Sequence, residues 1–282
     1  LYRYVVDDEQ RLLGVVPIRR LVPASPNTPV SELMVREPVS TTVEADQEEV
    51  AQLVARYDLL AIPVTDVDGT MVGVITVDDV IDVITEEATE DMYHLAGLSE
   101  EDRVFTSARV SFRKRLPWMM LNLVAISAAA AVVGLFEPTL ERVIALAAFL
   151  PVVAGMGGNS GIQSLTIVTR AIALGEIEFS TGLRAMGKEL GVSAGIGACT
   201  GVLAGLVAWL WQGSAYLGLV LFTALLVTMG VAGLLGAGVP LLLKALRQDP
   251  ALGSGVIVTT VTDAFGFFTF LGIATLMLER IA

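Results

Sequence analysis

One cysteine, one histidine, a low aromatic content and a shortage of positive charge mark this 282-residue chain, and each shortage removes a class of explanation. Cys199 has no second cysteine with which to close an intrachain disulfide, and it lies in an apolar stretch where packing is its plain role. His94 alone cannot build a multi-histidine metal site and reads as a surface or linker residue. With 18 Lys and Arg against 30 Asp and Glu, the net charge is -12. A balance this acidic offers no extended basic face to a nucleic acid's phosphates, which argues against a nucleic-acid partner and favours cations as ligands. Charged residues make up 17% of the chain against 54% hydrophobic, too apolar for one ordinary soluble domain. The opening LYRYVVDDEQ has neither an initiator Met nor a signal-peptide pattern, which reads as the trimmed start of a longer protein.

The charges are unevenly spread. Acidic residues dominate to about Asp102, the basic cluster Arg109, Arg113, Lys114 and Arg115 follows, and apolar blocks prevail from Leu116 onward. At about 20 apolar residues per crossing, five spans are predicted, at 116–136, 143–174, 189–211, 215–243 and 254–278, with Pro117 in a first helical turn. The second and fourth runs are long enough for tilt or interruption. Short basic loops stay in the cytoplasm. Arg109 to Arg115, Arg170 with Arg184 and Lys188, and Lys244 with Arg247 then share the inner side, which places the N-terminus inside and the C-terminus outside. The fold class is an α-helical membrane protein of five transmembrane helices with an N-terminal cytosolic α/β module.

Within that module the stretch Leu12–Val22, LLGVVPIRRLV, is repeated by Met71–Ile81, MVGVITVDDVI, each following an Asp-rich turn. Gly73, Thr76 and Asp79 match the Gly-x-x-Thr-x-x-Asp that follows a valine-rich strand in cystathionine-β-synthase (CBS) domains, which the pair resembles; Pro17 and Arg20 replace the Thr and Asp in the first copy. The resemblance implies a small-molecule or ion sensor, often for adenosine nucleotides, so ATP is a candidate ligand. The domain reading is a partial first repeat at 1–33, a second repeat at 34–87, an acidic-to-basic connecting (plug) helix at 88–115, and a membrane pore domain at 116–282.

From Asp78 a helical spacing puts Asp78, Asp82, Glu86 and Glu90 on one stripe, with Asp79, Glu87 and Asp91 beside it. Like charges at i, i+4 destabilise an isolated helix by a few tenths of a kcal/mol each. Two readings stand: a solvated acidic face, or a cation-binding surface stable when divalent ions screen it. In the last span the one ionisable residue is Asp263, and a carboxylate near mid-membrane normally faces a cavity, a partner or an ion. Thr259 and Gly255 precede it on the same face. In the second span, PVVAGMGGNSGIQS packs Gly155, Gly157, Gly158 and Gly161 around Asn159, with Gln163 after it. Such glycines suit close helix packing or carbonyls turned to a pore beside amide oxygen ligands; with Asp263 in the last span, the second account is favoured.

These elements in this order resemble the MgtE family of magnesium channels over essentially the whole chain. The family's pore motif reads Gly-Asn-x-Gly-Asn-Gln, and Ile162 stands where its second Asn would be. The resemblance implies Asp263, Thr259, Gly255, Asn159 and Asp249 as pore residues, with Gly155 and Gly158 as the glycines of close helix approach. It implies Asp46, Glu48, Asp58, Asp79, Asp82, Glu87, Glu90 and Asp91 as a regulatory set that binds cytosolic Mg2+ and closes the pore. It further implies a homodimer in the plasma membrane (the bacterial inner membrane) with the path on its two-fold axis, and Mg2+ as both permeant and regulatory ion rather than an enzyme's substrate. A secondary-active divalent cation transporter coupled to Na+ or H+ is the alternative. An intramembrane zinc protease would need His-Glu-x-x-His, which one histidine cannot supply, and an acidic pore residue suits a chloride channel poorly.

Overall fold

The structure, a computed structural model, describes residues 2–99, 101–177 and 179–281. The chain divides into two compact units, Leu1–Thr89 and Glu90–Ala282.

The first unit is built from two copies of one hairpin. Strand β1 (Tyr2–Val6) pairs antiparallel with β2 (Leu12–Pro17), from Tyr2 opposite Pro17 to a register shift between Val5 and Val6. Helix α1 (Ile18–Leu21) follows, then α2 (Val30–Leu33), β3 (Val35–Arg36), β4 (Thr41–Thr42) and α3 (Gln47–Arg56). Strand β5 (Ala61–Thr65) pairs antiparallel with β6 (Met71–Thr76), from Ala61 opposite Thr76 to the equivalent shift between Val64 and Thr65. The turns correspond as well. Asp7 Oδ1 accepts from the amides of Glu9 and Arg11, and Asp66 Oδ1 from those of Asp68 and Thr70. Such Asx turns let a carboxylate organise a hairpin bend. The copies meet where Arg11 bridges Thr70. Val50 and Val54 of α3, Ile62 of β5 and Val80 of the following helix form the core of the second copy.

Helix α4 (Val77–Leu95) carries the acidic stripe. It ends by a glycine stop: Gly97 takes φ 69°, its amide bonds His94 O, and the Leu98 amide bonds Tyr93 O. Both last-turn carbonyls are thereby satisfied. Helix α5 (Ala108–Gly134) starts ten residues later. The 88–115 segment, expected as one connecting helix, therefore holds the end of one helix, a turn and the start of another. Pro117, expected in a first turn, lies inside α5 because the helix begins in the basic segment, two turns before the apolar run.

Beyond α6 (Glu137–Arg142), a 3-10 turn (Ile144–Phe149) leads into α7 (Leu150–Ala173), followed by α8 (Phe179–Gln212), α9 (Ala215–Ala245), α10 (Ser254–Leu276) and α11 (Leu278–Ile281). Five helices are long and apolar enough to cross a membrane: Ala108–Gly134, Ile144–Ala173, Thr181–Gln212, Ala215–Ala245 and Ser254–Leu276. Helix α9 is the most enclosed of them, and its Leu221 and Leu225 pack with Phe149, Val153, Phe270 and Leu271 in the largest apolar core.

Candidate functional site

Helices α7 and α10 meet through small residues. A Cβ placed on Gly161 would stand 2.6 Å from Val258 Cγ1, one on Gly157 2.9 Å from Thr228 Cγ2, and one on Gly236 of α9 would collide with Gly161 O. Hydrocarbon offers no hydrophobic drive between helices, so close backbone approach supplies their dispersion contacts. The glycine-rich stretch is thus regular helix from Leu150 to Ala173, and the expectation that its carbonyls turn toward a pore is corrected: they stay within the helical ladder. The glycines of close approach are Gly157 and Gly161, whereas a Cβ on Gly155 would meet nothing within 4 Å.

Gly158 faces α10. A Cβ there would lie 3.9 Å from both Asp263 Oδ1 and Thr259 Cγ2. One turn further along α7, Ile162 Cδ1 lies 3.6 Å from the Cβ position of Gly255. Gly255, Thr259 and Asp263 form a strip about 12 Å long at 1.5 Å per residue. Asp263 is partly exposed and makes no hydrogen bond or ion pair with any described residue. Thr259 donates to Gly255 O at 2.9 Å, which leaves its hydroxyl oxygen free to accept. Asn159 and Gln163 lie on an exposed face of α7. The arrangement is an oxygen-bearing strip with one carboxylate unpaired among the described residues, Ile162 standing beside its Gly255 end.

The end of α4 sits on that Gly255 end. Leu95 O lies 2.5 Å from where a Gly255 Cβ would be, so only glycine fits. Trp118 of α5 covers both Gly97 and Gly253, the residues at the end of α4 and the start of α10, each with positive φ. His94, expected as a bland surface or linker residue, instead holds Asp249: Nδ1 lies 2.7 Å from Asp249 Oδ2, while Nε2 is 3.7 Å from Glu90 Oε1. The other Asp249 oxygen accepts from the Ala251 amide at 2.8 Å. Asp249, expected as a pore residue, therefore lies in the turn before α10 with its carboxylate already engaged.

The acidic set is less convergent. Asp46 caps α3 by accepting from the Glu48 amide at 2.9 Å. Asp79 accepts from the Thr76 hydroxyl at 2.6 Å and its amide at 3.2 Å, bonds that hold its carboxyl below the usual carboxylate range. Glu87 accepts from Gln47 Nε2 at 2.6 Å. Asp58, with φ 48°, and Asp82 are exposed, while Glu48 and Asp91 are partly buried. Among the described residues no three His, Cys, Asp or Glu side chains stand close enough to form a cation site.

One functional candidate escaped the sequence reading. Glu189, at the predicted edge of the third span, is 3% exposed; it accepts from Ser164 Oγ of α7 at 2.9 Å and pairs with Lys188 Nζ at 3.0 Å. Ser193 lies on the same face of α8 one turn on, its hydroxyl 3.5 Å from Ser164 Oγ. The cue was available, since Ser164 and Ser193 break apolar runs on faces that glycines also mark, but which faces meet was not.

The fold and this site define a multi-span membrane protein with a CBS-type module ahead of a helix bundle. Residues 150–273 match the MgtE family model, described as divalent cation transporter, and residues 30–86 match the CBS domain. The membrane part of the chain is thus similar to the MgtE family, and the relatives it matches along nearly its whole length are named magnesium transporters. It is 38% identical over 280 residues to the magnesium transporter MgtE of Bacillus subtilis, a match covering 99% of this chain and 62% of that protein. It is also 38% identical over 283 residues to the magnesium transporter MgtE of Thermus thermophilus, with the same coverage of each. The chain thus spans about three fifths of the length of these relatives. A crystal structure of the soluble part of a magnesium transporter is 46% identical over 31% of this chain and 34% of its own, with a TM-score of 0.30.

Proposed function

We propose that the chain is the gating and conducting part of a Mg2+ channel that Mg2+ itself closes. The carrying observation is Asp263, a carboxylate without a partner among the described residues, on a membrane helix and in line with Thr259 and the Gly255 on which the end of α4 rests. Burying a charge in that way is costly unless an ion or water compensates it. In a homodimer with the path on its two-fold axis, two copies of Asp263 balance one divalent ion. Mg2+ sheds its waters reluctantly, so a partly hydrated ion passes between hydroxyl, amide and carboxylate oxygens of Thr259, Asn159 and Asp263. Ile162, replacing an amide at the Gly255 level, makes that end of the path drier than Asn would.

The gate is the end of α4. Mg2+ on the acidic side chains of α4 and the CBS module, among them Asp82, Glu87, Glu90 and Asp91, relieves like-charge repulsion and favours the seated state by its differential affinity. Asp249, engaged by His94, belongs to that seat rather than to the conducting strip. ATP is a further proposed ligand of the CBS module. The protein lies in the plasma membrane with its N-terminus cytoplasmic and its C-terminus outside, as its basic loops require. The test is Mg2+ uptake into vesicles holding the Asp263→Ala variant: the reading expects near-complete loss with folding intact, and uptake close to that of the parent chain would refute it. Uptake persisting without any Na+ or proton gradient distinguishes this channel from a coupled transporter.

A further inference from the structure

The turn between α4 and α5 combines a rigid base with an uncovered tip. Glu101 pairs with Lys114 at 2.6 Å. Asp102, whose side chain is 1% exposed, pairs with Arg115 Nε at 2.5 Å and accepts from the Ser111 hydroxyl at 2.5 Å. Thr106 Oγ1 accepts from the Arg103 amide at 3.0 Å, and the Thr106 amide bonds Arg103 O, closing a tight tip. At that tip Val104 is 91% exposed and Phe105 98%; Phe112, on the first turns of α5, is 62% exposed. Two ion pairs therefore fix the base of a loop that presents an aromatic ring to its surroundings.

The charge left over has one sign. Lys114 and Arg115 are neutralised by the two pairs, whereas Arg103, Arg109 and Arg113 have no carboxylate partner among the described residues. Arg109 and Arg113 stand one helical turn apart on α5, with Phe112 between them. The apolar run starts at Leu116, so at 1.5 Å per residue Arg113 lies roughly 5 Å and Arg109 roughly 10 Å before it along the axis. A headgroup layer is about 5–8 Å deep on each side of the hydrocarbon. The same few residues thus combine guanidinium groups, which take phosphate oxygens bidentately, with an apolar tip of the kind that enters a membrane interface.

We propose that residues 103–113 form an interfacial anchor that holds anionic phospholipid headgroups, with Phe105 and Val104 seated in the outer headgroup layer and Arg103, Arg109 and Arg113 on the phosphates. The ion-paired base keeps the tip at a set distance from the start of α5. This inference does not depend on which ion the protein carries.

The test places an environment-sensitive fluorophore on Phe105→Cys in a Cys199→Ser background of the full chain, reconstituted in vesicles of phosphatidylcholine with increasing phosphatidylglycerol. Quenching by lipids spin-labelled at the headgroup is expected, stronger with a labelled phosphatidylglycerol than with a labelled phosphatidylcholine. Each arginine near an anionic surface contributes roughly a fivefold preference, so Arg109→Gln with Arg113→Gln should remove most of the headgroup preference while the helix stays inserted. Water-like, unquenched emission overturns the proposal. So does emission shielded from water yet untouched by lipid quenchers, which would mean that a second copy of the chain covers the tip.

Discussion

Replacing Gly255 by alanine tests the seating of α4 directly. The new methyl carbon would lie 2.5 Å from Leu95 O. Ordinary carbon–oxygen contact needs about 3.3 Å or more, so the end of α4 must retreat by most of an ångström or α10 must shift. Overpacking of this kind costs roughly 1–3 kcal/mol. Borne by the seated state alone, it lowers the ratio of seated to unseated protein by about five- to 150-fold. The assay is Mg2+ flux into vesicles as a function of Mg2+ on the regulatory side: Gly255→Ala should raise the concentration needed for half-closure by a comparable factor. Gly255 also belongs to the proposed conducting strip, so a narrowed path could lower the maximal flux, but that effect has no reason to move the half-closure point. His94→Ala removes the bond to Asp249 without adding atoms to the strip and should move half-closure in the same direction. If both variants fold and close at the parent concentration, the contact between Leu95 and Gly255 is not the gate.

Glu189→Ala leaves the Ser164 hydroxyl without its acceptor and exposes the junction of α7 and α8, so it should lower stability in detergent by about 1–3 kcal/mol. Glu189→Gln, which keeps an acceptor for Ser164, should lose less, and equal losses would show that the charge matters more than the hydrogen bond. At the turn before α5, the Arg115 guanidinium and then the Ser111 hydroxyl hold the Asp102 carboxyl below the usual carboxylate range. A depressed folded-state value means that this stabilisation is complete above the ordinary Asp value and is lost as pH falls through the lower, folded one. The acid limb of a melting-temperature profile should therefore flatten in Asp102→Asn, and an unchanged limb would refute the assignment.

The outline of this molecule was written in local pattern. Five long apolar runs, a basic step and a repeated hairpin with Asp at the bend are short-range signals, and each became the element it indicated. Asp263 was legible for the same reason, because an ionisable group within 23 residues of membrane helix stands out by composition alone. The ends of elements were less legible: α5 starts eight residues before the apolar run because a basic segment forms helix as readily as an apolar one.

Partnerships across the chain were decided only by the tertiary structure. Both Gly155 and Gly161 belong to the same glycine-rich stretch, yet only Gly161 has Val258 and α9 against it. His94 and Asp249 are separated by 155 positions, and nothing in either neighbourhood marks the other. Glu189 and Ser164 likewise meet because α7 and α8 turn particular faces inward. Sequence periodicity determines that a helix forms and how polar each face is, since these depend on neighbours within a turn or two. Which face meets which depends on the joint packing of all the helices, a property that no single stretch of the chain contains.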